Sequence, residues 1–251
     1  MMYKGFANVY DELMADAPYS SWLTWVETTL KEEQLQEPKI LEVGCGTGTI
    51  LASLCEKGYQ AEGLDVSEDM LAVADQKLKN KGLQALLTCQ DMRYFDMGKQ
   101  FDVIIVLCDS LNYLTSINDM EKALKTIWDH LRPGGKLLFD VHSLYYVNNV
   151  LSYYSVADAA EDISYIWNVF PTDAPGEVEH ELSIFTQRQD SLYIRYDELH
   201  RQRAYSMNDY RSVIKECGFS IKRITADFTS EAPVETSERL FFNVEKILQN
   251  P

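Results

Sequence analysis

Lys39-Ile40-Leu41-Glu42-Val43-Gly44-Cys45-Gly46-Thr47-Gly48-Thr49-Ile50-Leu51-Ala52 decides the fold of this chain. Ile40 to Val43 is a short, mainly apolar run, the composition of a parallel strand buried on both faces. It delivers an acid, Glu42, and then three glycines at alternate positions, Gly44, Gly46 and Gly48. A side chain at Gly44 or Gly46 would stand between the main chain and whatever lies over it, so the loop is shaped for a ligand that touches backbone. Thr49 to Leu54 reads as the start of a helix. Strand, glycine loop and helix together make a nucleotide-type cofactor site.

Spacing narrows the choice of cofactor. A dinucleotide fingerprint reads G-x-G-x-x-G and seats a pyrophosphate on the helix N-terminus, whereas here the third glycine comes one position early. The chain has no phosphate-loop G-x-x-x-x-G-K-[ST], and the first basic residue after the glycines is Lys57. The loop therefore suits a ligand without phosphate. Its E-x-G-x-G-x-G pattern resembles motif I of the class I S-adenosylmethionine-dependent methyltransferases, in which the loop backbone lies along the methionine part of the cofactor. Val9-Tyr10-Asp11-Glu12-Leu13-Met14 similarly resembles the Y-D-x-L-M opening of a group of small bacterial members. In that group an N-terminal helix covers the cofactor, and the tyrosine lies near its sulfonium or carboxylate.

Two acids downstream agree. Tyr59 to Leu64 reads as a second strand ending in Asp65, placed to accept both hydroxyls of an unphosphorylated ribose. As a ligand contact alone, Asp65 should be removable with little effect on fold stability. A short third strand, Ala85 to Thr88, precedes Cys89-Gln90-Asp91-Met92, and by resemblance Asp91 accepts from the adenine amino group. The cofactor contacts that the resemblance implies are Tyr10, Glu42, Gly44, Cys45, Gly46, Gly48, Asp65, Val66, Met70, Asp91, Met92, Leu107 and Asp109.

At 251 residues and 46% hydrophobic composition the chain can bury a substantial core. Its longest purely apolar stretch, Val103 to Cys108, is far short of the roughly 20 residues of a membrane-spanning helix. Cys45, Cys55, Cys89, Cys108 and Cys217 are scattered, without a C-x-x-C pair or histidines at zinc spacing, and read as reduced thiols in a cytoplasmic protein with no metal. A net charge of −16 without a basic run makes nucleic acid a poor partner. The expected partner is a small-molecule acceptor, with the protein a monomer or homodimer.

The first segment is amphipathic and helical, with Tyr10, Leu13 and Met14 before Pro18 and Trp22, Trp25, Val26 and Leu30 after it. Ser67 reads as the N-cap of a helix with Met70, Leu71, Ala74 and Leu78 on its buried stripe. Phe101 to Leu107 is a fourth, central strand, a helix from about Ile117 to Leu131 follows, and Lys136 to Val141 is a fifth strand. The alternation then changes. From Tyr145 to Arg203 the chain is acidic, rich in tyrosine and free of lysine, and its period becomes two: Val178, His180, Leu182 and Ile184 share one side of a strand. With Ile163 to Phe170 before it, a turn at Gln189-Asp190-Ser191, and Leu192, Ile194 and Tyr196 beyond, this predicts about three antiparallel strands. Met207 to Cys217 is helical, and Ser220 to Asp227 and Arg239 to Lys246 are the last strands, joined too briefly for a crossover helix and hence antiparallel. The fold class is α/β, a Rossmann-like doubly wound, mostly parallel seven-stranded sheet with an inserted antiparallel sheet. The strand order 3-2-1-4-5-7-6 is implied by the resemblance. Residues 1–142 and 206–251 form the cofactor-binding domain, and 143–205 an inserted lid that supplies acceptor contacts.

Ligands of open parallel sheets bind at the carboxyl ends of the strands, so Cys108-Asp109-Ser110-Leu111-Asn112-Tyr113 should face the transferred methyl. By resemblance it is motif IV, although the Pro-Pro that base N-methylating members carry is absent. Cys108 reads as a buried, inert thiol. The candidate catalytic residues are Asp109, a contact to cofactor or substrate, and His142, the best-placed histidine for proton transfer just past strand five. The sequence leaves open a methyltransferase acting on RNA or protein, or a non-catalytic cofactor-binding regulator. An NAD-dependent oxidoreductase is opposed by the early third glycine.

Overall fold

A computed structural model describes residues 6–160, 162–188 and 192–247. Helices α1 (Phe6–Leu13) and α2 (Tyr19–Glu32) lead into β1 (Lys39–Val43), α3 (Thr49–Glu56), β2 (Gln60–Asp65), α4 (Glu68–Asn80), β3 (Leu87–Cys89) and β4 (Phe101–Val106). Helix α5 (Ile117–His130), strand β5 (Leu131–His142) and helix α6 (Leu144–Asn149) follow, then four strands, β6 (Ser155–Ala159), β7 (Ile163–Pro171), β8 (Glu177–Gln187) and β9 (Tyr193–Arg203). The chain closes with α7 (Met207–Glu216), β10 (Phe219–Ala226) and β11 (Arg239–Lys246). The main sheet runs β10-β11-β5-β4-β1-β2-β3, the order expected once β10 and β11 are counted as its sixth and seventh strands. β1, β2, β3, β4 and β5 are parallel, and β11 is antiparallel to both β5 and β10.

The central strands are apolar on both faces because each face has its own core. Leu41, Val43, Ile104, Val106, Leu137 and Phe139 point to the side of α5 and α7, where they meet Leu124, Ile127 and Tyr210. Ile40, Val103, Ile105 and Leu138 point to the other side and meet Trp22, Val26, Leu30 and Leu51 of α2 and α3. Ser67, Ser116, Ser143 and Ser206 cap α4, α5, α6 and α7, each accepting from the backbone N–H three residues on.

The second sheet has four strands in the order β6-β7-β8-β9, not three. Its edge strand β6 escapes the sequence pattern because Ser155-Val156-Ala157-Asp158-Ala159 is mostly exposed and has no apolar alternation to betray it. The helix α6 and the short 3-10 turn after it are likewise additions. The expected turn at Gln189-Asp190-Ser191 lies outside the described residues. Strand five is longer than expected and includes Arg132-Pro133-Gly134-Gly135, with a register irregularity where the pair Phe101–Leu131 gives way to Val103–Lys136. In the second sheet Val178, His180 and Ile184 are buried on β8, and Glu198, His200 and Gln202 on β9. That face turns toward the carboxyl edge of the main sheet, for Ile184 packs with Ala7 and Val9 of α1 and Met70 of α4.

Candidate active site

The glycine loop leaves β1 in a conformation that L side chains rarely adopt, with φ of 74° at Gly44, 53° at Gly46 and 72° at Gly48. At Gly44 a Cβ would lie 2.8 Å from the Ser110 hydroxyl, so the motif IV loop is packed against the glycine itself. At Gly46 a Cβ would meet nothing within 4 Å, leaving the backbone open on the ligand side. Gly44 and Cys45 donate their N–H groups to Leu64 O, which fixes the loop on the end of β2.

Asp65 stands at the carboxyl end of β2 as expected, but it also ties the site together. Its Oδ2 accepts from Gly46 N at 2.8 Å and its Oδ1 from Ser67 N at 2.9 Å, joining the glycine loop to the cap of α4. The expectation that Asp65 matters only to a ligand is therefore corrected, since its removal strands two backbone donors. Asp91 lies beyond β3 as expected, yet its carboxylate is gripped by Arg93, with Nε at 2.9 and 3.1 Å and Nη2 at 2.6 Å, and this pair holds Asp91 below the usual carboxylate range. An adenine amino group would share that carboxylate with Arg93. Val66 is exposed next to Asp65, while Met70, Leu107 and Cys45 are buried around the cleft.

Glu42 is buried at the end of β1. Burial and the nearby Asp65 push its carboxyl up to about 8, and its Oε2 has no hydrogen-bond partner among the described residues. A buried acceptor without a donor, beside a second carboxylate and an open backbone loop, fits a cationic ligand without phosphate. S-adenosylmethionine, with its ammonium and sulfonium, has that chemistry. A pyrophosphate would meet two carboxylates here.

Helix α1 is fastened over this loop. Thr47 Oγ1 donates to Asp11 Oδ1 at 2.6 Å, and Lys77 Nζ lies 2.7 Å from Asp11 Oδ2. Tyr10 is thereby half-buried, with Tyr19, Cys108, Tyr113 and Asp109 near its hydroxyl, and desolvation raises that hydroxyl well above its ordinary value.

The motif IV loop turns through two consecutive non-glycine residues with positive φ, 55° at Cys108 and 53° at Asp109, a conformation that costs about 1–3 kcal/mol per residue. What holds it is a polar cluster that the sequence reading located only in part. Arg239, at the start of β11, lies between Asp109, 3.1 Å from Oδ1, and Asp140, whose Oδ2 its Nη1 contacts directly. Its guanidinium sits 4.9 Å over the Trp22 ring, and Trp22 Nε1 donates to Asp140 Oδ1 at 3.0 Å. Asp109 N donates to Asp140 Oδ2 at 3.3 Å, and Gln202 of β9 donates from Nε2 to Asp109 Oδ2 at 2.7 Å. His142, the last residue of β5, brings Nε2 to 3.1 Å from Asp109 Oδ1 and stacks on Tyr146 at 4.7 Å between ring centroids. Burial forces the His142 imidazole down to about 4, against the pull of Asp109, so it is neutral near pH 7; Asp109, flanked by His142 and Arg239, stays ionised despite its burial. Neither thiol here is activated: desolvation first, and then Asp140 and Asp109 beside Cys108 and Glu42 and Asp65 beside Cys45, push both well above their ordinary values.

Asp140, Arg239, Trp22 and Gln202 are the members that sequence reasoning missed. One signal was present. Asp140 is an acid inside the apolar run Leu137-Leu138-Phe139-Asp140-Val141, and a charge in a central strand requires a buried partner. Its partner lies 99 residues away in sequence, beyond the reach of any local pattern.

Comparison with known proteins agrees with this geometry. A family model described as a methyltransferase domain matches residues 40–135. The chain is 44% identical over 247 residues to the putative methyltransferase YqeM of Bacillus subtilis, covering 98% of each chain. It superposes with a TM-score of 0.88 on the crystal structure of an S-adenosylmethionine-dependent methyltransferase from Clostridium acetobutylicum, at 29% identity and covering 98% of this chain and 99% of that one. A more distant relative, 29% identical over 136 residues that cover 53% of this chain and 56% of its own, is the dTDP-3-amino-3,4,6-trideoxy-alpha-D-glucopyranose N,N-dimethyltransferase of Streptomyces venezuelae.

Proposed function

We propose, for a chain that belongs to the class I S-adenosylmethionine-dependent methyltransferases, that its acceptor is a small molecule methylated on nitrogen or oxygen, and that His142 and Asp109 take up the acceptor's proton. When bound, S-adenosylmethionine supplies a methyl group on a sulfonium, whose in-line transfer leaves a neutral thioether and needs no acid. Glu42, the glycine loop and Asp65 would hold it, with Asp91 and Val66 toward the base and Tyr10 toward the sulfonium. The remaining task for the protein is to orient the acceptor, exclude water and accept a proton where the nucleophile carries one.

The observation that carries the reading is the Asp109–His142 pair. His142 Nε2 lies 3.1 Å from Asp109 Oδ1 and 3.2 Å from Arg239 Nη2; our reading takes the tautomer with the ring proton on Nε2, donating to the ionised Asp109. That leaves the Nδ1 lone pair, which is buried and has no hydrogen-bond partner among the described residues. A proton arriving at Nδ1 gives an imidazolium already paired with a carboxylate, the arrangement in which a histidine serves as a base. Arg239 and Asp140 keep Asp109 in place for this. The small-molecule class is supported by the N,N-dimethyltransferase relative and by the lack of any basic run in a chain of net charge −16. A cytoplasmic setting belongs to the same reading, supported by five cysteines that all remain free thiols.

The test is His142→Gln, assayed by release of demethylated cofactor once an acceptor has been found by screening metabolite pools. The expected result is a fall in kcat on the order of 10²-fold or more at neutral pH with cofactor affinity unchanged. Full activity in that variant would remove His142 from the proton path.

A further inference from the structure

The exit of the inserted sheet meets both members of the Asp109–His142 pair within two consecutive residues. Gln202 of β9 donates from Nε2 to Asp109 Oδ2 at 2.7 Å. The carbonyl of Arg203 accepts from Asn112 Nδ2 at 2.9 Å, and Asn112 Oδ1 in turn accepts from His142 N at 2.9 Å. Neither amide has a choice of orientation, because ionised carboxylates and carbonyls only accept and a backbone N–H only donates. Gln202 and Asn112 are both buried. Among the described residues, Gln202 is the one side chain of β6 to β9 that bonds Asp109 or His142.

The bonds on Asp109 are unevenly shared. Arg239 and His142 both approach Oδ1, at 3.1 Å each, whereas the partner of Oδ2 among the described residues is Gln202. His142 Nε2 also lies 3.2 Å from Arg239 Nη2, so it stands between an acceptor that calls for a ring proton and a donor that calls for a lone pair. Those two demands correspond to the two tautomers of a neutral imidazole. Behind Gln202 stands His180. Trp167 Nε1 donates to His180 Nδ1 at 3.1 Å, which leaves the His180 proton on Nε2, and burial lowers that imidazole while Asp109 and then Gln202 pull it back up. His180 Nε2 makes no hydrogen bond among the described residues, so its hold on Gln202 is electrostatic, and the bond that fixes the amide is the one to Asp109.

We infer that Gln202 is a positioning residue of methyl transfer, fixing the Asp109 carboxylate so that the His142 proton stays on Nε2 and Nδ1 stays open to the acceptor's proton. This deepens the proton-transfer reading above and rests on it. A carboxylate bonded through one oxygen alone can turn about its Cβ–Cγ bond, and Arg239 presents a planar fork that draws it away from the imidazole. Without the amide, Oδ1 is free to leave Nε2, and Arg239 Nη2 remains as the neighbour of that nitrogen. Nε2 then gives its proton to water and accepts from Arg239, while Nδ1 takes a proton from water and closes the position where the acceptor's proton has to arrive. One amide at the end of the inserted sheet thus sets which nitrogen of His142 faces the reaction as a base.

The experiment reads the tautomer directly and does not depend on turnover. Full-length protein labelled with 15N at its four histidines and saturated with S-adenosylhomocysteine is recorded by two-bond 1H–15N correlation NMR at neutral pH, with the His142 signals assigned by their absence from His142→Gln protein. The unaltered protein should show His142 protonated on Nε2. Gln202→Leu should move most of the population to the Nδ1-protonated form, and Gln202→Asn, which keeps the amide but falls one methylene short, should give a mixture. Both variants should bind S-adenosylhomocysteine as the unaltered protein does, and Arg201→Gln, which disturbs the outer face of the same strand by breaking the pair with Glu179, should leave the tautomer alone. With an acceptor in hand, kcat of Gln202→Leu should fall by roughly tenfold or more at unchanged cofactor KM. A His142 that keeps its proton on Nε2 in both Gln202 variants, one already protonated on Nδ1 in the unaltered protein, the same change in Arg201→Gln, or loss of S-adenosylhomocysteine binding in both Gln202 variants would each overturn the inference. Full activity in His142→Gln would remove the proton-transfer reading and leave the tautomer result standing, so the two failures are distinct.

Discussion

Replacing Arg239 by methionine, which preserves much of the side-chain length while removing the charge, should destabilise the protein through the two carboxylates it leaves behind. Asp140 is fully buried, the Asp109 side chain is 19% exposed, and the guanidinium touches both. Breaking a buried ion pair by deleting one partner costs about 3–5 kcal/mol. The lower end is expected here, because Asp140 keeps its bonds from Trp22 Nε1 and Asp109 N, and Asp109 keeps those from Gln202 and His142. For a chain of this size a loss of ~3 kcal/mol lowers Tm by roughly 6–12 °C. The deficit should depend on pH with a definite sign. Even beside Arg239, burial raises Asp140 to about 6; without the cation Asp140 rises further above its unfolded value of about 3.9, and Asp109, now held low by His142 and Arg239, moves up as well. The folded variant then binds more protons than its unfolded state, so its stability falls as pH rises through that window and recovers as pH drops. Urea unfolding at pH 5 and pH 8, with unchanged slope, reads the effect: a larger loss at pH 8, and partial rescue at pH 8 by Asp140→Asn in the same chain. A loss below ~1 kcal/mol, a deficit that grows toward acid pH, or a double variant no more stable than the single one would refute the reasoning.

Gly44→Ala should fold yet lose cofactor affinity by at least tenfold in calorimetric titration, because its Cβ would press on Ser110 at a φ of 74° and displace the motif IV loop from the glycines. Asp65→Ala should weaken cofactor binding by about 1.5–3 kcal/mol and, through the abandoned Gly46 and Ser67 N–H groups, also lower unfolding free energy by about 1–3 kcal/mol; unchanged stability in denaturant would show that water replaces the carboxylate at both donors.

The part of the fold that was legible in the sequence is the part governed by local rules. Ile40 to Gly48 announces strand and loop by composition, Ser67 announces its helix by its cap, and Phe101 to Val106 announces a central strand because both of its faces meet apolar layers. The inserted sheet was legible where burial is one-sided, as along Val178 to Ile184, and illegible at β6, whose exposed, small residues obey no period. The site divides in the same way. Glu42, Asp65, Asp109 and His142 all stand at or just past strand ends, where position alone makes a residue a candidate. Arg239 and Gln202 act only because β11 lies beside β5 and β9 folds back over the loop, and pairings that distant leave no trace in sequence spacing. Asp91 shows the converse: it stands just beyond β3, as the pattern of strands predicts, but a neighbour two residues away, Arg93, already occupies its charge.

The clasp on α1 bears on how fast the protein can work. Asp11 holds Thr47 and Lys77 from a helix whose apolar contacts are a handful of residues, Ala7, Val9, Met70 and Ile184 among them. With the cofactor held under α1, as the proposed function has it, spent cofactor is expected to leave by opening of the clasp, a small local unfolding event with its own rate. On that reading the first helix would serve as a timekeeper, and Asp11→Ala should speed cofactor exchange in stopped-flow measurements.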